Sequence, residues 1–233
     1  MLVLAVAPPA SGATRHRDLL DATRAERGRF AWFAATSVPD GLGNPILVQA
    51  GKEVLEVVLP RRSASLPVKV PADGVLRIVK RADDAVPPDG EPAFETLAEV
   101  SIPERARQAL IILEPAADDA DPLVVATVHD LVDFKRGAYL FINQTKMDVA
   151  VEMGDARLDI KPAGAELFLV LEDRKPVSVP ISYRYRRPNR EKWHLLGAST
   201  VLLSPTRREI CVFSTNPKSG RIDYHGITFP VTP

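Results

Sequence analysis

Short apolar runs rich in Val, Ile, Leu and Phe recur from Gly28 onward about every 10 to 15 residues, and each stops at a cluster of Pro, Gly, Asn or Asp. That punctuation constrains the fold more than any other feature. Proline lacks the backbone donor that a helix interior or a central ladder needs, while Gly and Asn accept the positive φ of tight turns. With 21 Pro in 233 residues, the punctuated stretches exclude long helices. In the first half, strands are predicted at 30–38, 46–50, 54–59, 68–70, 75–80, 94–100 and 109–113, separated by breakers such as Pro71-Ala72-Asp73-Gly74 and a longer loop over 83–90. Only 15–29, mostly charged, reads as a short helix or a loose leader.

The second half echoes the first roughly a hundred residues later. Gly28-Arg29-Phe30-Ala31-Trp32-Phe33 is answered by Gly137-Ala138-Tyr139-Leu140-Phe141-Ile142, and Ile46-Leu47-Val48-Gln49-Ala50-Gly51 by Val149-Ala150-Val151-Glu152-Met153-Gly154. Leu66-Pro67-Val68-Lys69-Val70-Pro71 is matched with Lys175-Pro176-Val177-Ser178-Val179-Pro180, and Arg107 to Leu113 with Arg208 to Phe213. The matches keep one order, the mark of a tandem repeat. The expected fold is therefore all-β: two tandem immunoglobulin-like or transthyretin-like β-sandwich domains, each of roughly 100 residues. A leader occupies 1–28, the first sandwich 29–118 and the second 119–233, with the boundary at the acidic run 116–121. Ile181, Tyr183 and Tyr185 alternate with Ser182, Arg184 and Arg186, giving one dry and one wet face.

Composition narrows the classes of function. Thirty Lys and Arg balance thirty Asp and Glu, so no long-range field points to nucleic acid or anionic lipid. The lone cysteine, Cys211, cannot form an intrachain disulfide and reads as a thiol half-buried in a sheet. Residues 1–13 run apolar, break at Pro8-Pro9 and end in Ser11-Gly12-Ala13, a partial signal-peptide pattern that predicts an exported, periplasmic or extracellular protein. The run is too short to span a bilayer, and no transmembrane segment is expected elsewhere.

The chain resembles uncharacterised bacterial envelope proteins built of small tandem β-sandwiches. The features that carry the likeness are Phe141-Ile142-Asn143-Gln144-Thr145, Met153-Gly154-Asp155 and Lys161-Pro162-Ala163-Gly164, best matched over 137–217 and less well over 30–113. The first unit departs at Ala34-Ala35-Thr36 and carries the additional loop 83–90. The resemblance implies a fold and an exported location, and brings no activity or site residue.

Signatures of catalysis are missing from the sequence: no Gly-x-Ser-x-Gly elbow, no phosphate loop, no His-Glu-x-x-His and no cysteine pair of ligand spacing. His16, His129, His194 and His225 stand far apart, and His129-Asp130 with Asp133 reads as loop polarity rather than a metal site. No cofactor is expected. The densest chemistry lies in a hairpin around Pro188-Asn189-Arg190-Glu191, whose candidate surface residues are Tyr183, Arg184, Arg186, Arg187, Arg190, Trp193 and His194. Guanidinium forks grip anions and aromatic faces stack on sugars or cations, yet the same residues equally serve as core plugs and soluble strand surface. Trp32 reads as a core plug, and Asn143-Gln144-Thr145 matches a glycosylation sequon that matters only in a eukaryotic secretory protein. The leading expectation is a non-catalytic structural or protein-interaction module of the bacterial envelope with a protein or glycan partner. The alternatives are a carbohydrate-binding module, which needs exposed aromatics, and a hydrolase, which needs converging polar groups in a cleft.

Overall fold

The computed structural model describes residues 28–38, 42–82, 93–116, 124–170, 175–216 and 219–229. Of the expected leader 1–28 all but Gly28, and the whole of the expected loop 83–90, lie outside the described residues. All regular structure here is β. The first eight strands are β1 (Phe30–Ala35), β2 (Ile46–Ala50), β3 (Glu53–Val57), β4 (Val68–Lys69), β5 (Val75–Arg81), β6 (Phe94–Ser101), β7 (Gln108–Pro115) and β8 (Val124–Asp130). The next eight are β9 (Ala138–Asn143), β10 (Asp148–Met153), β11 (Ala156–Ile160), β12 (Ala165–Leu169), β13 (Val177–Arg186), β14 (Trp193–Leu203), β15 (Glu209–Thr215) and β16 (Ile222–Thr228).

They form two β-sandwiches, each of two four-stranded sheets. The first pairs β4-β1-β7-β8 with β3-β2-β5-β6, and the second pairs β12-β9-β15-β16 with β11-β10-β13-β14. The strand order of the second is that of the first advanced by eight strands. In each, one central pair is parallel, β1 with β7 and β9 with β15. A register shift also recurs, at Ile78/Val79 between β5 and β6 and at Tyr183/Arg184 between β13 and β14.

The boundary and one of the matches read from the sequence fall elsewhere in this order. β8 pairs with β7 from Ala109↔Asp130 to Pro115↔Val124, so the first sheet pair extends to Asp130. The two strands that flank the acidic run 116–121 in the chain pair with each other in one sheet; polar turn residues read alike within a sheet and between sandwiches. The match of 66–71 with 175–180 sets β4, an edge strand, against β13, an interior one. Its Pro-Val-x-Val-Pro pattern is too simple to fix a position.

Packing explains why some strands alternate and others do not. Inside the first sandwich Ala31, Phe33, Ile46, Val48, Ile78 and Ile111 form one core, and inside the second Tyr139, Phe141, Val149, Val151, Ile181 and Phe213 form another. A third core joins the two sandwiches. The opposite face of β1 and β7 supplies Phe30, Trp32, Ala34, Leu110 and Ile112, while β9, β15 and β16 supply Ala138, Leu140, Ile142, Ile210, Val212 and Ile227. The four central strands are thus buried on both faces and read as continuous apolar runs, as strands covered on both sides must. Trp32 is a plug, as expected, but in this seam, where its ring lies 5.2 Å from that of Phe229.

The seam is stapled beside its apolar core. Ser63 bridges Thr228 in parallel, and the Thr228 N–H donates to the Arg62 carbonyl at 2.8 Å. Gln144 Nε2 reaches across to Thr127 Oγ1 at 2.9 Å. At the start of β9, Gly137 has φ +78°, and a Cβ there would stand 2.6 Å from the Val170 carbonyl oxygen, so only glycine fits.

Candidate functional site

The hairpin expected around Pro188 is present, with β13 and β14 paired from Val177↔Leu203 to Arg186↔Trp193. Its turn carries Asn189 at φ +57°, and the Arg190 N–H donates to the Arg187 carbonyl at 3.2 Å. The alternation read from the sequence separates the residues as anticipated. Tyr183 turns inward, 5.4 Å from the Phe213 ring and 4.5 Å from Tyr224, and burial pushes its hydroxyl pKa upward. Arg184 and Arg186 turn outward with Ser182.

That outward face is an ordered lattice of charge. Pairing across the sheet sets Asp148, Arg186 and Trp193 in one row, and Arg157, Glu152 and Ser182 in another. Asp148 accepts from Arg186 at 2.7 Å and Lys161 at 3.3 Å. Glu152 accepts from Ser182 Oγ at 2.8 Å, from Arg184 at 2.9 Å and from Arg157 at 2.9 Å. The Arg186 hydrogen bond holds the Asp148 carboxyl below the usual range, and the Ser182 and Arg184 bonds do the same for Glu152. Trp193 lies against two of these cations, with the Arg186 guanidinium 4.8 Å and the Arg157 guanidinium 4.9 Å from its ring centroid. Arg157 stands on the far strand of the sheet, so the indole reaches across the face to meet it. His194 stacks on Tyr185 at 5.3 Å.

The structure therefore does not gather the seven candidates into one site. Tyr183 belongs to the core, Arg184, Arg186 and Trp193 to the lattice, and His194 to a ring stack. Arg187 and Arg190 stand exposed at the tip, together with Lys192 and a single acid, Glu191.

A concavity opens where the ends of β1, β7, β9 and β15 meet at the seam. It has a volume of about 790 Å³ and is lined by Thr36, Glu114, Lys146, Asp223 and His225 among others. A neighbouring hollow of about 850 Å³ shares Thr36, Ser37 and His225 and adds Arg61 and Arg62. Burial pushes the Glu114 carboxyl up to about 7. Sequence reasoning missed this cleft because its residues come from strand ends far apart in the chain. The one local signal, Gln144 in the quoted motif, marks the end of β9 without saying what it faces.

Among the described residues, three buried polar side-chain atoms lack a hydrogen-bond partner: Trp32 Nε1, His129 Nε2 and Gln144 Oε1. Trp32 is part of the seam core, His129 shares the seam face of Leu110 across β7 and β8, and Gln144 reaches over the seam. Burial lowers the His129 pKa, which keeps the imidazole neutral. Cys211 is buried in the second core with its thiol pushed up to about 12, which makes it a poor nucleophile. Among the described residues no three His, Cys, Asp or Glu side chains converge as a metal site would require.

No protein-family model matches the chain, and no curated protein matches it.

Proposed function

We propose that the chain is a non-catalytic, exported module of the bacterial cell envelope, built from a duplicated β-sandwich unit, which recognises an acidic protein through the tip of the β13–β14 hairpin. The duplication is supported by the shared strand order and the two recurring register shifts. Export is supported by the partial signal pattern at 1–13.

The observation that carries the recognition is the mounting of the tip. Arg187, Arg190 and Lys192 are exposed beside one acid, on a hairpin whose root arginines are fixed by Asp148 and Glu152. A cation cluster on a rigid support loses little freedom on binding, and exposed charges at the rim of an interface act chiefly on association rate. The carbohydrate reading is less favoured, because a sugar needs an open aromatic platform. Here Tyr183 packs in the core and the indole of Trp193 faces guanidinium groups.

The test is capture from envelope extract by the purified chain and by the double variant Arg187→Glu/Arg190→Glu, at low and high salt. Capture by the wild type that weakens at least tenfold in the variant and falls with salt supports the reading. Equal capture by both proteins overturns it.

A further inference from the structure

Every sheet edge exposes unpaired backbone groups, and proteins blunt that hazard with charge, proline or short strands. Among the described residues, seven of the eight edge strands follow the rule: Glu53 and Glu56 stand on β3, Lys69 on the two-residue β4, and Glu95 and Glu99 on β6. Asp130 stands on β8, Arg157 and Asp159 on β11, Glu166 on β12, and Asp223 on β16. β14 breaks it. Its sequence, Trp-His-Leu-Leu-Gly-Ala-Ser-Thr-Val-Leu-Leu, is the longest strand at 11 residues and holds no Lys, Arg, Asp, Glu or Pro. In the first sandwich the corresponding edge, β6, runs against β8.

The direction of the β14 backbone follows from its neighbour. The Pro180 carbonyl accepts from the Gly154 N–H at 2.9 Å, so Pro180 directs its backbone groups away from β14. Pro180 and Thr200 are thus a non-hydrogen-bonded pair, and Thr200 points its N–H and C=O out of the sheet. By alternation Ala198 and Leu202 point the same way, and the Leu202 carbonyl accepts outward from Tyr139 Oη at 3.0 Å. Ala198, Ser199 and Thr200 are all exposed, and Leu195 and Leu202 are 58% and 43% exposed.

We propose that β14 is a self-association edge, at which two copies of this chain pair antiparallel about a two-fold axis through Ser199. The occupant is a second copy because β14 is itself the strand this edge fits. It is equally long, free of charge and correctly phased. Ala198 and Thr200 both point outward, so pairing Ala198 with Thr200 of the partner subunit exchanges two hydrogen bonds at each of two symmetric places. The same register sets Leu202 opposite Leu196 of the partner subunit, next in the chain to the exposed Leu195, and no like charges meet. One added strand pair covers less than the roughly 800 Å² per partner of a standard stable interface, so the dimer is weak and concentration-dependent. This inference rests on the sheet edge alone and is independent of any acidic partner.

Sedimentation velocity on the full chain, from micromolar to near-millimolar concentration, is the test. The wild type shifts from monomer to dimer as concentration rises. Thr200→Pro removes the outward N–H without breaking a β13 bond and abolishes the shift. Ala198→Lys and Ala198→Glu each remain monomeric, because the two-fold sets identical charges about 7–8 Å apart, and an equimolar mixture of the two restores the dimer. Unchanged circular dichroism verifies that each variant is folded. A wild type that stays monomeric, variants that dimerise as the wild type does, or a mixture that fails to recover overturns the proposal. A foreign strand captured at this edge in place of a second copy overturns it as well.

Discussion

Asn143 has no exposed surface and spends all of its hydrogen-bonding capacity at the end of β9. Its amide donates to the carbonyls of Met147 at 2.8 Å and Ile160 at 3.0 Å, and its oxygen accepts from the Thr145 N–H at 2.9 Å and hydroxyl at 2.8 Å. These bonds fix the loop that leads from β9 to β10, and they leave no room for a glycan. Asn143→Ala strands several buried groups at once and is expected to cost about 3 kcal/mol in urea unfolding, whereas Thr145→Val, which loses fewer bonds, costs less. Glu114 supplies a second expectation. Its carboxyl titrates near 7 in the folded chain against an ordinary 4.5. The folded state holds the proton more tightly, so its contribution is fully present below pH 4.5 and is lost as pH rises to 7. His129, with a lowered pKa, opposes this below its ordinary 6.5, since protonation there favours the unfolded chain. The difference between wild type and Glu114→Gln isolates the carboxylate: the wild type should lose stability relative to the variant on going from pH 4.5 to 7, and a constant difference would refute it.

At the scale of elements, what the sequence disclosed depends on how each strand is covered. β2 was placed at its observed limits, and β5 and β6 within a residue, because breakers flank runs that face one dry core. The pattern predicts β1 as far as residue 38, whereas the strand ends at Ala35, since a strand buried on both faces loses the alternation that would mark its end. The two faces of β13 were legible from Ile181 to Arg186 by simple parity. The partners of that face were not: Asp148 and Arg186 are 38 residues apart and meet only because β10 lies beside β13. The same holds for Trp193, whose indole rests on Arg157 from the opposite edge of the sheet. Residue type announced that cations and aromatics were concentrated here. Register alone decided that most of them are held by one another, while Arg187, Arg190 and Lys192 at the tip stay exposed.

On the scale of the whole molecule, the seam decides whether the two sandwiches behave as one. Its core is built from faces that an isolated sandwich would leave wet, with Leu110, Ile112 and Val212 at 0% exposure. Phe229 adds an edge-on contact with Phe134 at 5.5 Å and lies beneath the Arg208 guanidinium at 4.7 Å. Yet the three unpartnered buried polar atoms all belong to this seam, which marks it as the least perfectly satisfied of the three cores. A large apolar contact couples the sandwiches, so the native chain should unfold in one calorimetric transition whose measured and van't Hoff enthalpies agree. Val212→Glu places a carboxylate in the seam while the residues that face the second core, Cys211 and Phe213, keep their places. Burying that charge without a partner costs several kcal/mol, and opening the seam returns the carboxylate to water. Opening of the seam is the expected response, so the variant should melt in two transitions with each sandwich still folded. Phe213→Ala, on the inner face of the same strand, should lower the stability of the second sandwich and leave the seam contact in place. If Val212→Glu merely lowers the melting temperature of a single transition, the sandwiches are coupled through contacts other than this core.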